Sequence, residues 1–204
     1  IIREAPFFVA QTRNIFRPAD VPAALIAEGR SRTQAMLRAV MGEDCPPDAL
    51  RGYQVLTGLS SHSFSAMRDL LGPPRGCHYA VQHKGETVVA VFDYGHFSAL
   101  YEAVIDDVSR FDAGIEVLTQ RQHFRMNYDT PYIRNLPTRL EITTSSDTDT
   151  GTEIIGPIYE DPFRIELGAF HDSIVTGAPS RTTLSDSMQD LLLFKQVARH
   201  FRPA

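Results

Sequence analysis

One histidine in a helical pattern is the side chain of this sequence best suited to proton transfer. His62 lies in the stretch 59–72, whose other residues are mostly apolar or small. In a helix it shares a face with Ser65 and Asp69, beside an apolar stripe. Because imidazole titrates near pH 6.5, it can accept or return a proton at neutral pH. The alternative is an interior histidine that donates a hydrogen bond to a carbonyl group.

A second polar cluster follows a predicted strand, in the segment 128–135. Tyr132, Arg134 and Asn135 bring hydroxyl, guanidinium and amide groups onto one loop. Such groups bind sugar hydroxyls, and the guanidinium can also bind an acid group. Alternatively, the proline of this segment makes a rigid turn whose aromatic rings pack on the sheet edge.

The spacing of the remaining polar residues favours neither a metal site nor a serine hydrolase. The residues available for a metal are His78, His83, His96, His123 and Asp93. They show no zinc-type spacing, and the first two have opposite parity on a strand. Ser61 and His62 are neighbours that diverge by about 100° on a helix, which prevents the hydrogen bond that a serine nucleophile needs.

The elements that position these residues follow from a change of period after Gly72. Before it, and again at the end of the chain, apolar residues recur at helical spacing between prolines and glycines. Between these parts they alternate as in strands. The segment 21–41 is predicted as one helix or as a helix pair divided at Gly29. Further helices are predicted at 46–72, 161–177 and 183–201, and strands at 77–82, 87–92, 97–108, 115–118, 121–128, 139–144 and 153–158, after one strand within 1–16.

This order predicts an α+β fold, a mainly antiparallel or mixed open sheet with helices packed on one face. In the strand 121–128 an apolar set alternates with a polar one, so one face of the sheet is wet or contacts a polar partner. Core spacing in the helix 161–177 is shown by Phe163, Leu167, Phe170 and Ile174. The broad apolar surface of the last helix predicts burial on more than one side. Without an internal repeat or long linker, residues 1–204 are expected to form one domain, with a strand and helices in 1–45 and the core in 46–204.

The composition of the chain argues against a nucleic-acid-binding protein, a membrane-spanning protein and a disulfide-rich scaffold. The 204 residues carry a formal net charge of −5, which argues against nucleic-acid binding. No run approaches the roughly 20 apolar residues of a membrane span. Cys45 and Cys77 are too few for a disulfide framework, which favours the cytoplasm. Because the chain begins with isoleucine, we expect it to be cut from a longer protein.

Several of these features together resemble one enzyme family. They are the helix that carries His62 and closes at Gly72-Pro73-Pro74, the hairpin, the strand-rich middle, and the closing segment 170–179 followed by Asp186. Over residues 50–202 the chain resembles the C-terminal part of the Gfo/Idh/MocA oxidoreductases, the group of glucose–fructose oxidoreductase and inositol dehydrogenase.

The resemblance implies a function. Members bind NAD or NADP in an N-terminal Rossmann domain and oxidise or reduce a sugar-like alcohol held against the second domain. By this resemblance, His62 is the proton-transfer residue near the nicotinamide, and the sheet face pairs two copies across a two-fold axis. The expected substrate contacts are Ser61, Ser65, Tyr132, Arg134 and Asn135.

The chain departs from the family pattern in two ways. It has no Gly-x-Gly-x-x-Gly after a strand and no Glu-Lys-Pro, so we expect no cofactor on this chain alone and no catalysis without its Rossmann domain. Gly58 and Ser65 stand where the family has carboxylates beside its histidine. This difference keeps an alternative open, a non-catalytic ligand-binding or dimerisation scaffold with the dehydrogenase fold.

Overall fold

The computed structural model describes residues 1–4, 18–130, 133–180 and 182–201, without the side chain of Glu4. These residues form two compact units. The first unit contains residues 1–4 and 107–183, and the second contains residues 18–106 and 184–201. The predicted α+β class is confirmed. The single domain expected over 1–204 stays a prediction.

Helices and strands occur in the predicted order. The helices are α1 (Ala23–Met41), α2 (Pro47–Gly58), α3 (Ser61–Leu71), α4 (Pro162–Thr176) and α5 (Leu184–Arg199). The strands are β1 (Ile2–Glu4), β2 (Gly76–His83), β3 (Thr87–Asp93), β4 (Ser98–Ile105), β5 (Phe111–Leu118), β6 (Gln122–Tyr128), β7 (Thr138–Ser145) and β8 (Thr150–Ile158).

The first unit is built on strands in the order β1-β5-β6-β7-β8, and each neighbouring pair is antiparallel. Directly paired residues share a face, so the register separates two surfaces. One surface is apolar and half-buried, and the other carries charged side chains, as the alternation in 121–128 predicts. The apolar surface contains Ile115, Val117, Phe124, Met126, Leu140 and Ile142.

In the second unit β2, β3 and β4 form an antiparallel meander. Its first turn confirms the predicted hairpin, because the amide of Glu86 donates to the carbonyl of His83 at 3.0 Å. Lys84 and Gly85 have φ angles of 53° and 65°, the left-handed pair that a tight hairpin turn requires.

The core of the second unit lies between one face of this meander and the helices. Alternate residues of β3 are completely buried, while those between them are half-buried. Completely buried side chains of α2, α3 and α5 complete this core, and the Phe64 ring of α3 lies edge-on to Phe92 of β3, so helices cover one face of the strands. This core includes Leu56, Phe64, Val88, Ala90, Phe92, Phe194 and Val197.

The helix predicted over 46–72 is in fact two helices. α2 ends at Gly58 and α3 begins at Ser61. The amide of Ser60 donates to the carbonyl of Val55 at 3.3 Å, closing the end of α2, and Ser60 itself is completely buried. Glycine and serine are weak helix formers, which explains a break here although the apolar spacing continues across it.

Two predictions of burial are wrong. α4 has the predicted ends, with Asp161 accepting a hydrogen bond from the amide of Phe163 and Gly177 in the left-handed conformation. Its apolar stripe is nevertheless exposed, by 49% at Phe163 and 68% at Ile174. In α5 Leu193 and Phe194 are buried, whereas the opposite side is open. Helical spacing identifies an apolar face but not what covers it.

The start of the chain is only partly described. The strand expected within 1–16 appears as β1, and residues 5–17 lie outside the described residues. In the part of the chain that the structure describes, no helix has both the length and the apolar character needed to cross a membrane.

Candidate functional site

Phe64 sets the direction in which α3 presents its side chains. Its ring is completely buried and lies edge-on to Phe92 and Tyr101, at centroid distances of 5.3 and 4.9 Å. Phe194 of α5 adds a third ring at 4.8 Å. Because a helix turns by about 100° per residue, His62 is directed away from this aromatic cluster.

Arg68 lies one turn after Phe64, on the same side of α3, and binds two carboxylates of α5. Its Nε and Nη2 donate to Asp190 at 2.7 and 3.0 Å, and its Nη1 and Nη2 donate to Asp186 at 2.7 and 3.1 Å. The side chains of Arg68 and Asp190 are only 8% and 9% exposed. These charge-assisted hydrogen bonds raise the pKa of Arg68, and the bond from Arg68 lowers the pKa of Asp186.

The end of α3 is also held. Gly72 has a φ of 77°, and its amide donates to the carbonyl of Arg68 at 2.9 Å. The hydroxyl of Tyr94 donates to the carbonyl of Gly72 at 3.0 Å, and burial raises the pKa of this phenol. α3 is therefore fixed within the second unit by a ring cluster, an ion cluster and a closed C-terminus.

His62 is exposed on this fixed helix, so the alternative of an interior histidine does not fit. Ser61 and Ser65 are half-buried neighbours on α3. Among the described residues no hydrogen bond or ion pair reaches the His62 ring. The arrangement offers an imidazole that can meet a ligand from solvent, next to small hydroxyl side chains.

The second predicted cluster belongs to the first unit. Arg134 and Asn135 are exposed in a turn, and Asn135 has a φ of 59°. Tyr132 lies outside the described residues. A substrate role for the three residues stays a prediction, and so does the alternative of a rigid turn.

Three histidines of the described residues, His78, His123 and His171, each lie near a single carboxylate. His78 lies 3.5 Å from Asp93, and His123 lies 3.4 Å from Glu116. Within residues 1–4, 18–130, 133–180 and 182–201, no group of three metal-ligating side chains converges.

The ion cluster of Arg68 was missed by the sequence reasoning. A signal for it exists, because Asp186 and Asp190 stand one turn apart on a helix whose other side chains are mainly apolar. A carboxylate as buried as that of Asp190 needs a charged or hydrogen-bonding partner, and Arg68 donates to both carboxylates. Its position 122 residues before Asp190 explains why local patterns do not show the pair.

A groove of about 480 Å³ also lies in the second unit, between α1 and α2. It is lined by polar and apolar side chains, and His62 is not among them. Both of its arginines already have partners, since Arg38 donates to the carbonyl of Glu43 and Arg51 pairs with Glu86 at 2.9 Å. The groove therefore adds nothing to the α3 site.

The fold of this chain occurs in solved oxidoreductase structures. An oxidoreductase from Bacillus cereus is 14% identical with a TM-score of 0.57, and the match covers 100% of this chain and 56% of that one. A Desulfitobacterium hafniense protein assigned as an NADPH-dependent oxidoreductase is 14% identical with a TM-score of 0.62, over 74% of this chain and 48% of that one.

A third structure, yvaA from Bacillus subtilis, assigned as an oxidoreductase, is 15% identical with a TM-score of 0.57, over 72% of this chain and 49% of that one. The chain thus spans about half the length of the structures it matches. No protein-family model and no curated protein matches its sequence. At these identities the likeness is one of fold.

Proposed function

We propose that this chain is the substrate-binding and oligomerisation half of an NAD(P)-dependent oxidoreductase of the Gfo/Idh/MocA type. Its substrate is a sugar- or polyol-like alcohol, and it is inactive without a cofactor domain. The observation that carries the proposal is His62, exposed on a helix that Phe64 and Arg68 hold in place. The fold, shared with about half of each matched oxidoreductase, supports it.

The chemistry assigned to this chain is the movement of one proton. Oxidation of an alcohol releases the hydroxyl proton, and an imidazole near neutrality can accept it and return it in the reverse direction. The hydroxyls of Ser61 and Ser65 can bind neighbouring hydroxyl groups of the substrate. Arg134, Asn135 and Tyr132 are proposed as further substrate contacts.

The cofactor is assigned to a domain outside this chain. A Rossmann crevice needs parallel strands joined through a helix. Within the described parts of the two units, every strand pair is antiparallel. This topology supports the proposal that NAD or NADP is held by a separate Rossmann domain.

A second candidate function is a non-catalytic scaffold that binds a ligand or a second copy. It is favoured by the solitary imidazole, because no carboxylate among the described residues orients the His62 ring. General bases are usually oriented by such a partner. A scaffold would keep the fold and lose nothing when His62 is replaced.

Substitution of His62 separates the two candidates in the intact protein that contains this chain. We expect NAD(P)-dependent oxidation of polyols or sugars, and a fall in turnover of about 10²-fold or more in His62→Ala. His83→Ala is the matched control, because His83 is an exposed histidine at the hairpin turn. Turnover that is equal in the two variants would leave the scaffold as the better account.

The proposed partner is a second copy, bound through the charged face of the first unit's sheet. Arg125 lies at the centre of a cross-strand row between Glu116 and Glu141. A two-fold axis can bring opposite charges of such rows together. A cytoplasmic location completes the proposal, supported by the free thiols of Cys45 and Cys77.

A further inference from the structure

The inward side of α3 is defined by two residues one turn apart. Phe64 enters the aromatic cluster, and Arg68 enters the carboxylates of α5. Since residues four apart lie on one face of a helix, the two contacts fix the rotation of α3 about its own axis. His62 stands about 160° from Phe64 around that axis, which is why its ring reaches solvent.

The aromatic contact of Phe64 and the ion cluster of Arg68 constrain α3 in different ways. Apolar rings stabilise a packed helix by burying apolar surface. Because this effect is not directional, it allows the helix to shift along its neighbour. The Arg68 guanidinium is planar and donates to both carboxylates in a fork, which fixes direction and distance. Its Nη2 also donates to the backbone carbonyl of Asp186 at 3.1 Å. These hydrogen bonds therefore define both the rotation of α3 about its axis and its axial position relative to α5.

We propose that Arg68 is a positioning residue for His62. It holds the helix so that the imidazole meets the substrate hydroxyl at the right place, an inference that rests on the proposed function. A displacement of about 1 Å at a reacting group can cost about 10²-fold in rate. Without Arg68, the carboxylate of Asp190, which is only 9% exposed, loses its guanidinium partner, and we expect α3 to lose its fixed register.

The first experiment uses the chain alone and needs no activity. Amide hydrogen exchange is measured for α2 and α3 in the parent chain, Arg68→Met, Arg68→Lys and the milder Asp186→Asn. We expect exchange in α3 to become about tenfold faster or more in Arg68→Met, as for lost charge-assisted hydrogen bonds, with smaller changes in the other two variants. α2 is the internal reference for a general loss of stability.

The matched control is Arg51→Met. Arg51 also pairs with a carboxylate, that of Glu86, but both side chains are about half exposed. Exposed pairs contribute little, so exchange in α3 should stay at the parent rate. Unchanged α3 protection in both Arg68→Met and Asp186→Asn would overturn the inference, as would equal acceleration in α2 and α3.

The second experiment is a double-mutant cycle on turnover in the intact protein. Asp186→Asn, which leaves Asp190 in place, is combined with His62→Ala. If Arg68 and its carboxylates act through His62, we expect Asp186→Asn to lower kcat more than it changes KM. The same substitution should have no further effect once His62 is absent.

The outcomes of this cycle are distinct. An equal loss from Asp186→Asn with and without His62 overturns the positioning role and leaves the proposed function standing. Unchanged turnover in His62→Ala overturns the proposed function and, with it, the positioning role. If His62→Ala lowers turnover and Asp186→Asn then has no further effect, the proposed function and the positioning role are both supported.

Discussion

We expect Asp186 to make the stability of the chain sensitive to acid. The hydrogen bond from Arg68 lowers its pKa, so folding favours the ionised carboxyl. A lowered folded-state pKa contributes stability in full above about pH 5. That contribution is lost as pH falls through the ordinary aspartate value of about 3.9 toward the lower folded-state value. We expect the denaturant midpoint to fall with pH in this window for the parent chain.

Asp186→Asn tests this expectation, because an amide does not titrate there. Its denaturant midpoint should be lower than the parent's at pH 6 and should change less below about pH 4. Asp147→Asn is the matched control, since Asp147 pairs with Arg121 on the surface and is 84% exposed. If the denaturant midpoint of Asp186→Asn fell with pH as it does in the parent chain, the ion cluster would not be the cause of the acid sensitivity.

Cys77 is expected to react slowly in the folded chain. Burial raises the pKa of its thiol, so less of the reactive thiolate exists at neutral pH. Cys77 is half-buried, whereas Cys45 is buried. We expect native thiol labelling by iodoacetamide at pH 7.5 to be slower than labelling in urea at both positions. Cys45→Ala assigns the remaining signal to Cys77, and fast native labelling in that variant would contradict the expectation.

At the residue scale, the sequence predicts a role for His62, which stays a prediction, and gives no local sign of the buried ion cluster of Arg68. His62 is distinctive because of its type, an imidazole among apolar and small residues. Arg68 looks like an ordinary surface cation one turn before the helix ends, and only the packing of α3 on α5 shows that it is buried. Contacts made over 122 residues of sequence have no local pattern.

Gly85 ties the β2–β3 hairpin to α2. A Cβ at this position would lie 2.4 Å from the Cβ of Arg51 and 2.8 Å from the carbonyl oxygen of Asp48. Its φ of 65° adds strain for any other residue. We expect Gly85→Ala to lower the free energy of unfolding by more than about 1 kcal/mol, measured by urea denaturation.

Gly29 offers a control of the opposite sign. It lies in the middle of α1, where a Cβ would meet nothing within 4 Å. Alanine is the better helix former, so Gly29→Ala should raise the free energy of unfolding by about 0.5–1 kcal/mol. If both substitutions changed the free energy of unfolding equally, close backbone approach at Gly85 would not be the reason that this position requires glycine.

Elements are predicted well where turn chemistry marks their ends. The hairpin turn at 83–86 and the ends of α4 agree with the structure, because positive φ and capping are local properties of glycine and aspartate. The division between α2 and α3 was missed, since Leu56 and Leu59 continue the apolar spacing through Gly58. The exposed stripe of α4 shows the same limit, because a partner surface leaves no mark in the helix itself.

For the whole molecule, we expect a homodimer through the charged sheet face. The Arg125 Nε lies 3.2 Å from Glu116, and Arg125 stands opposite Glu141 in the register of β6 and β7. Light scattering after size exclusion should give twice the mass calculated for 204 residues, with a shift toward monomer at high salt. Arg125→Glu should produce the monomer, and Arg51→Glu, on α2, should leave the dimer intact. A dimer that survives Arg125→Glu would place the interface elsewhere.

We expect the 204-residue chain alone not to bind NAD or NADP, because of its topology. Dinucleotides bind where parallel strands and a helix N-terminus meet, and the described strand pairs within the two units are antiparallel. Titration calorimetry of the 204-residue chain with NAD or NADP should therefore give no binding heat in the micromolar range. The intact protein should bind one of the two under the same conditions. Saturable binding to this chain alone would contradict the assignment of the cofactor to another domain, whereas binding by neither protein would favour the non-catalytic scaffold.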